Sequence, residues 1–262
     1  MAETASTTAT TVINPDFALL PPMEVQAILS ILEKGEVRLR GRFLESSNAT
    51  FFVTCLLEEE ILQAVYKPEA GQTELYDFEP ATLPRREVAA WLVCRAAGWD
   101  FVPPTIHRKD GLPFGAGSLQ LYIGHDPQMH YLALEKNERA SFRKVALFDL
   151  VVNNADRKSG HLLFGEDGRW WAIDQALCFN AMPKLRTVIW DFIGEPFSEE
   201  EVTALRRLEL ALQPNAELSQ SLRGLLREDE IAAMRRRLRV LLKLGVFPEP
   251  EPGHRPVPWP LV

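Results

Sequence analysis

"LFDLVVNNADRKSGHLLFGEDGRWWAIDQALCFN", Leu147 to Asn180, sets a knot of polar residues between runs that otherwise read as core. Asn153, Asn154, Asp156, Arg157, Lys158 and His161 crowd one connection, which is more chemistry than a solvated turn needs. A helix arriving at about Asn153 is expected to stop there, because asparagine tolerates the left-handed conformation that closes a helix. Beyond the knot, Leu162-Leu163-Phe164, the turn Glu166-Asp167-Gly168 and the run Trp170 to Ile173 predict a tight hairpin. Such a hairpin returns Asp174 toward its own start, so Asp156 and Asp174 are expected to be neighbours in space. Two carboxylates with Lys158 between them suit phosphoryl transfer. One orients an acceptor hydroxyl, the other holds a divalent metal, and the ammonium offsets charge on the transferred group. Taken alone, the Asp-Arg-Lys triplet reads more simply as an ion-paired turn in which Arg157 and Lys158 offset the two aspartates.

Upstream, "MEVQAILSILEKG" puts Val25, Ile28, Leu29 and Leu32 on one stripe stopped by Gly35, which predicts a helix over about 22–34. "EVRLRGRFL", "ATFFVTCLL" and "ILQAVYK" are β-rich runs separated by short polar turns and predict an antiparallel meander. A second helix is expected from Pro84 to Gly98, followed by strands in "FVPPTIHR" and "GSLQLYIG". From Asn137 the character changes to a helix reaching about Asn153, the hairpin, and helices near 198–212, 216–226 and 228–244. Strands first and helices later indicate an α+β chain of two lobes. The expected division is a disordered Thr-rich leader at 1–20, a β-rich lobe at 21–123, a mainly helical lobe at 124–247 and a Pro-rich tail at 248–262. The tail is too rich in proline for helix or central strand and is expected to lie extended on the surface.

Composition narrows the classes further. Twenty-nine basic against 36 acidic side chains give a net charge of −7 over 262 residues, which disfavours nucleic acid and anionic membrane as partners of the whole molecule. No apolar run approaches the roughly 20 residues that span a bilayer, so no stable membrane insertion is expected. The three cysteines, Cys55, Cys94 and Cys178, have no CxxC spacing and read as reduced core thiols of a cytoplasmic protein.

The knot has upstream companions. Lys67 ends a strand and Glu87 follows on a helix, the arrangement that places an ammonium on nucleotide phosphates. The turn in "LESSNAT" offers hydroxyls and backbone N–H groups suited to covering phosphates. In this order the chain resembles the atypical kinases of the phosphatidylinositol 3- and 4-kinase type, a superfamily that includes the HipA-like protein kinases. It looks most like a small bacterial branch whose substrate is unknown. The resemblance covers about Gly41 to Asn180 and is sharpest in "NNADRKSGHLL" and "WAIDQALCF".

This resemblance implies a two-lobed protein-kinase-like fold with an antiparallel-sheet N-lobe and a mainly helical C-lobe. It implies an ATP-dependent phosphotransferase that uses Mg²⁺ or Mn²⁺ and acts on a protein hydroxyl or a small-molecule acceptor. By position, Ser46, Ser47 and Asn48 cover the phosphates, Lys67 contacts them with Glu87 as its partner, and Gln120, Leu121, Tyr122 and Ile123 form the hinge that meets adenine. Asp156 is the expected catalytic base, Lys158 a phosphate contact and Asp174 the main metal ligand. The phosphate turn departs from the family in lacking glycine. A second departure is His161, which stands where the family has asparagine as second metal ligand; an imidazole nitrogen suits Mn²⁺ better than the oxygen-loving Mg²⁺. Two rival readings use the same pocket: a nucleotide-binding pseudokinase with a regulatory or scaffold role, and a nucleotidyl transferase. Near the expected acceptor site only Lys184 and Arg186 are basic, whereas a multiply phosphorylated headgroup calls for a denser cluster.

Overall fold

A computed structural model describes residues 24–44, 46, 48–79 and 81–262. The expectations for the 1–20 leader, for the start of the first helix and for Ser47 lie outside the described residues. Helix α1 spans Val25–Lys34 and ends at Gly35, where a side chain would run into the carbonyl oxygens of Ile31 and Leu56. The β-rich runs form β1 (Glu36–Arg42), β2 (Phe51–Leu57) and β3 (Glu60–Pro68), paired antiparallel as a meander. Strands β4 (Thr105–Arg108) and β5 (Gly117–Leu121) complete a five-stranded sheet in the order β1-β2-β3-β5-β4.

The two-residue period of the strands divides this sheet cleanly. Val53, Cys55, Leu62, Ala64 and Tyr66 pack with Ile28, Ile31 and Leu32 of α1 in one buried cluster. Phe52 pairs with Val65 and Thr54 with Gln63, so these side chains and Lys67 share the opposite face. Helix α2 (Leu83–Ala97) has proline in its first turn and closes on left-handed Gly98 (φ 82°). It is buried on most of its circumference because it touches β4 and β5 on one side and two C-lobe helices on the other.

The region after Asn137 differs from the single helix expected. Residues Glu138–Phe142 form a 3-10 turn, and α3 begins only at Arg143 and runs to Val152. The tighter turn brings Phe142 into the core, with its ring 5.2 Å from Tyr131 and 4.8 Å from Trp170. Strands β6 (Leu162–Phe164) and β7 (Trp170–Ala172) form the hairpin, with Leu162 opposite Ala172. Helices α4 (Glu199–Ala211), α5 (Glu217–Arg223) and α6 (Glu228–Leu244) close the lobe. Ser198 caps α4 by accepting from the Glu201 N–H, a reciprocal arrangement that satisfies two donors at the helix start. Helices α2, α3, α4 and α6 share one continuous core. All three cysteines are free and buried. Among the described residues no helix is long and apolar enough to cross a membrane.

Candidate functional site

Lys67 is the penultimate residue of β3, opposite Ser118 of β5. The neighbouring Gly117 lets the strands approach, since a Cβ there would run into the Lys67 carbonyl oxygen. The Lys67 ammonium lies between two carboxylates: it pairs with Glu87 of α2 and donates to Asp174 Oδ1 at 3.0 Å. Glu87 is buried, and its second oxygen accepts from the Gln175 N–H at 2.9 Å. Helix α2 is thereby tied to the residue that follows Asp174. Burial works against the Lys67 charge, but Asp174 and Glu87 outweigh it and raise the ammonium's pKa. Burial pushes the Glu87 carboxyl up despite Lys67. Asp174 is shifted the other way: burial is overcome by Lys67 and His161, and its carboxyl is held below the usual range. Its backbone is left-handed (φ 58°), a conformation uncommon outside glycine and concentrated at functional positions.

The polar knot begins with Asn153 in the left-handed conformation expected of it (φ 55°). The Asn153 amide donates to the carbonyls of Asn180 and Met182 and accepts from the Lys184 N–H, so it holds the segment after Asp174. That segment pairs with the knot through main-chain bonds. Arg186 N–H donates to the Asn154 carbonyl, and Arg157 N–H donates to the Arg186 carbonyl, both at 2.9 Å. Arg157 forms a single parallel bridge with Thr187, and the Asp156 N–H is taken instead by Asn154 Oδ1 at 2.9 Å. Lys158 Nζ lies 3.6 Å from Asp156 Oδ2. Burial pushes the Asp156 carboxyl up to about 6 against the pull of Lys158, and the charge of Asp174 adds to the rise. The two aspartates sense each other, as the hairpin argument expects.

The fully buried Arg157 makes its ion pair with neither Asp156 nor Asp174, which corrects its part of the ion-paired-turn reading, while Lys158 does pair with Asp156. Arg157 clasps Asp149, also fully buried, through Nε at 3.0 Å and Nη2 at 2.9 Å. Its remaining donors reach the Ile173 carbonyl and Gln175 Oε1, both at 2.8 Å. Asn154 and Thr187 also donate to Asp149. This network fixes the knot, the strand before Asp174 and the segment after it to one helix. Sequence reasoning missed Asp149, although a lone acid inside the apolar run "ALFDLVV" is itself a sign of a buried cation.

His161 Nδ1 accepts from the Lys158 N–H at 3.4 Å, which leaves Nε2 to carry the proton toward Asp174 Oδ2 at 3.3 Å. Burial lowers the imidazole's pKa to about 4, so the ring is neutral near pH 7. A ligand role for Nε2 requires the other tautomer and gives up the bond from Lys158. Among the described residues no group of three or more His, Cys, Asp or Glu side chains stands assembled for a metal. Asp174, supplemented by His161, fits a cation carried on a nucleotide, because Mg²⁺ usually combines one or two carboxylates with phosphate oxygens and water.

In the phosphate turn, Ser46 Oγ bonds Thr50 Oγ1 at 2.9 Å, and Asn48 Oδ1 accepts from the Thr73 N–H at 2.8 Å. Both side chains are thus engaged within the protein. Gln120 and Leu121 belong to β5, and the buried Gln120 amide donates to Thr105 Oγ1 at 2.9 Å. The chain leaves the sheet only at Tyr122, whose N–H still bonds the Gln63 carbonyl, so the connection between the lobes is Tyr122 to Gly124. A segment not foreseen from sequence, residues 72–79, runs between the phosphate turn and the C-lobe. Besides Thr73, it sends Asp77 to Lys184 at 2.8 Å and Glu79 to Arg227 at 3.1 Å.

No family model matches the chain. It is 37% identical to Protein Rv2133c of Mycobacterium tuberculosis over 266 residues, covering 88% of this chain and 94% of that protein. Its fold is similar to hydra Fam20, solved with sugar, at a TM-score of 0.51 and 14% identity, covering 84% of this chain and 87% of that one. The Helicobacter pylori proinflammatory kinase CtkA aligns with a TM-score of 0.49 and 12% identity over 82% of this chain and 94% of that one. The fold is α+β and protein-kinase-like, with an antiparallel sheet in one lobe and helices in the other.

Proposed function

The chain belongs to the same family as Protein Rv2133c of M. tuberculosis, and we propose that it is an ATP-dependent phosphotransferase acting on a protein hydroxyl or a small-molecule acceptor. The observation that carries this reading is the Lys67 ammonium held between buried Glu87 and Asp174, with Asp156 raised to a pKa of about 6 beside them. Lys67 is placed to meet nucleotide phosphates while Glu87 fixes its position. Asp156, ionised at neutral pH yet more basic than an ordinary carboxylate, accepts or orients the proton of the acceptor hydroxyl. Lys158, next to it, offsets charge on the transferred group. Asp174, with His161 against its second oxygen, would hold Mg²⁺ or Mn²⁺, which supplies charge neutralisation across the phosphates.

Within the kinase-like fold, the sequence patterns around Asp156 and Asp174 favour the phosphatidylinositol 3-/4-kinase-type and HipA-like branch. The sparse basic charge after Asp174, with Lys184 already paired to Asp77, argues against a polyphosphorylated headgroup as acceptor. Three buried free thiols support a reducing, cytoplasmic setting.

A second reading, nucleotide binding without turnover, is favoured by one observation: both Asp174 oxygens are already engaged, by Lys67 and by His161. Mass spectrometry of the protein after incubation with ATP and either metal separates the cases. A phosphoryl mass increment supports the phosphotransferase, a nucleotidyl increment supports nucleotidyl transfer, and binding without any increment supports the pseudokinase. If calorimetry detects neither ATP nor ADP binding with either metal, all three fail.

A further inference from the structure

The Pro-rich segment after α6 does more than lie on the surface. The Pro256 carbonyl accepts from the Thr187 N–H at 3.0 Å and from Trp190 Nε1 at 3.1 Å. Five residues later the Leu261 carbonyl accepts from the Ser159 N–H at 2.8 Å. Val262 then lies against Gly160, within 3.7 Å of where a side chain at that glycine would sit. Ser159 is fully buried and Thr187 is 2% exposed. Their N–H groups are thus buried donors satisfied by this segment, and a buried donor left without a partner is costly. Both flank the candidate base: Ser159 follows Asp156 by three residues, and Thr187 is bridged to Arg157. Ser159 also anchors the other side of the loop, since its Oγ accepts from the Leu132 N–H and bonds His130 Nδ1, both at 2.9 Å. The three bonds that tie residues 255–262 to Ser159, Thr187 and Trp190 are all accepted by main-chain carbonyls, and residues 254–262 contain no Ser, Thr or Tyr. The segment therefore has no hydroxyl to phosphorylate and does not imitate an acceptor.

We propose that residues 255–262 are a strap that positions the Asp156 loop for turnover, holding it and the segment after Asp174 in register. The role in turnover rests on the phosphotransferase reading; the mechanical coupling does not. The segment bends at several points instead of lying extended, and its prolines fix φ and lower the entropy lost on docking, so glycines weaken the strap while keeping its carbonyls.

The test is the full chain carrying Pro256→Gly, Pro258→Gly and Pro260→Gly together, compared with wild type by amide hydrogen exchange, nucleotide affinity and ATP turnover. The strap predicts exchange faster by about tenfold or more in peptides spanning 157–161 and 185–190, with helix-core peptides unchanged. It further predicts a fall in kcat with the nucleotide Kd unchanged. Unchanged exchange in those two peptides overturns the coupling, and a rise in kcat overturns the positioning role by making the segment an inhibitor. Should the triple variant fail to fold, Pro256→Gly alone is read by the same two peptides. Changed exchange in a wild-type background that shows no turnover with either metal defeats the phosphotransferase reading and leaves the strap standing.

Discussion

Replacing Asp149 by Asn tests whether the knot is held from below by a buried ion pair. Asp149 and Arg157 have fully buried side chains, and the guanidinium meets the carboxylate through two nitrogens. Removing one partner of such a pair costs about 3–5 kcal/mol, because the other charge stays buried without compensation. The two halves are not equivalent. Arginine does not lose its proton in proteins, so Asp149→Asn strands a permanent cation, whereas Arg157→Met leaves a carboxylate that can neutralise itself by taking up a proton. Asp149→Asn should therefore be the more damaging change at pH 7, and the cost of Arg157→Met should shrink as the solution is made acidic. The double replacement Asp149→Leu/Arg157→Met removes both charges but leaves Gln175 and Asn154 with fewer partners. It should cost less than the sum of the single changes by about 2 kcal/mol or more. Urea titration followed by circular dichroism reads these values directly, and Asp149→Asn should lower Tm by about 6–20 °C for a chain of this size. Single changes each below about 1 kcal/mol, or strictly additive costs in the double variant, would refute the account of the network.

Further outcomes concern three residues of the cleft. Lys67→Met removes the charge between Glu87 and Asp174, and calorimetry should show ATP affinity reduced by about 10- to 150-fold, equivalent to roughly 1.5–3 kcal/mol of charge-assisted bonding. Asp156→Asn should abolish turnover while leaving nucleotide Kd nearly unchanged. Because burial raises the Asp156 carboxyl to about 6 and the ionised form is the base, wild-type kcat should be level above that pH and fall about tenfold per unit below it. The same sign makes its ionised form a stability cost above pH 6, so Asp156→Asn should be no less stable than wild type at pH 7. His161→Asn replaces an imidazole nitrogen by an amide oxygen, and parallel titrations should show Mg²⁺ gaining on Mn²⁺ in supporting nucleotide binding; an unchanged metal ratio returns His161 to a purely structural role.

Legibility from sequence followed the range over which each interaction acts. The three-strand meander, the helices stopped at Gly35 and Gly98 and the hairpin are local, set by apolar periods, turn residues and the left-handed tolerance of Asn153, and all of them appear in the fold. The convergence of Lys67, Glu87 and Asp174 follows from the order of those elements. The choice of partner for Arg157 was not legible, since which of three aspartates it meets depends on burial, and burial is decided by the whole lobe. The 3-10 turn before α3 was hidden for a similar reason, because Phe142 is drawn inward by two rings distant in sequence. The contacts of the Pro-rich segment were least visible of all. They are made by carbonyl oxygens, which every residue has, so no side-chain pattern announces them.

If the cleft takes a nucleotide as proposed, the charges gathered at the knot favour its arrival together with a metal. Lys67, Arg157 and Lys158 supply three positive charges, while Glu87, Asp149, Asp156 and Asp174 supply four negative ones, leaving one negative charge in excess. His161 adds nothing near pH 7, because burial keeps its ring neutral. Each cation is already paired, so a bare triphosphate entering this cleft meets no unspent positive charge among these residues and must displace Asp174 or Glu87 from Lys67. Glu87 is the harder to move, since its second oxygen is fixed by the Gln175 N–H inside the protein. Asp174 is the softer partner: its side chain is 40% exposed and its second oxygen is held only by a neutral imidazole. On the proposed phosphotransferase reading, a divalent cation arriving with the phosphates would compensate Asp174 if Lys67 turned to the nucleotide, and the exchange would then cost little Coulomb energy. The same exchange without a cation leaves Asp174 facing phosphate at close range, like charge against like. Glu87 is thus held at both oxygens inside the protein while Asp174 is half-exposed, and on the proposed reading nucleotide affinity and metal affinity would be two readings of one equilibrium.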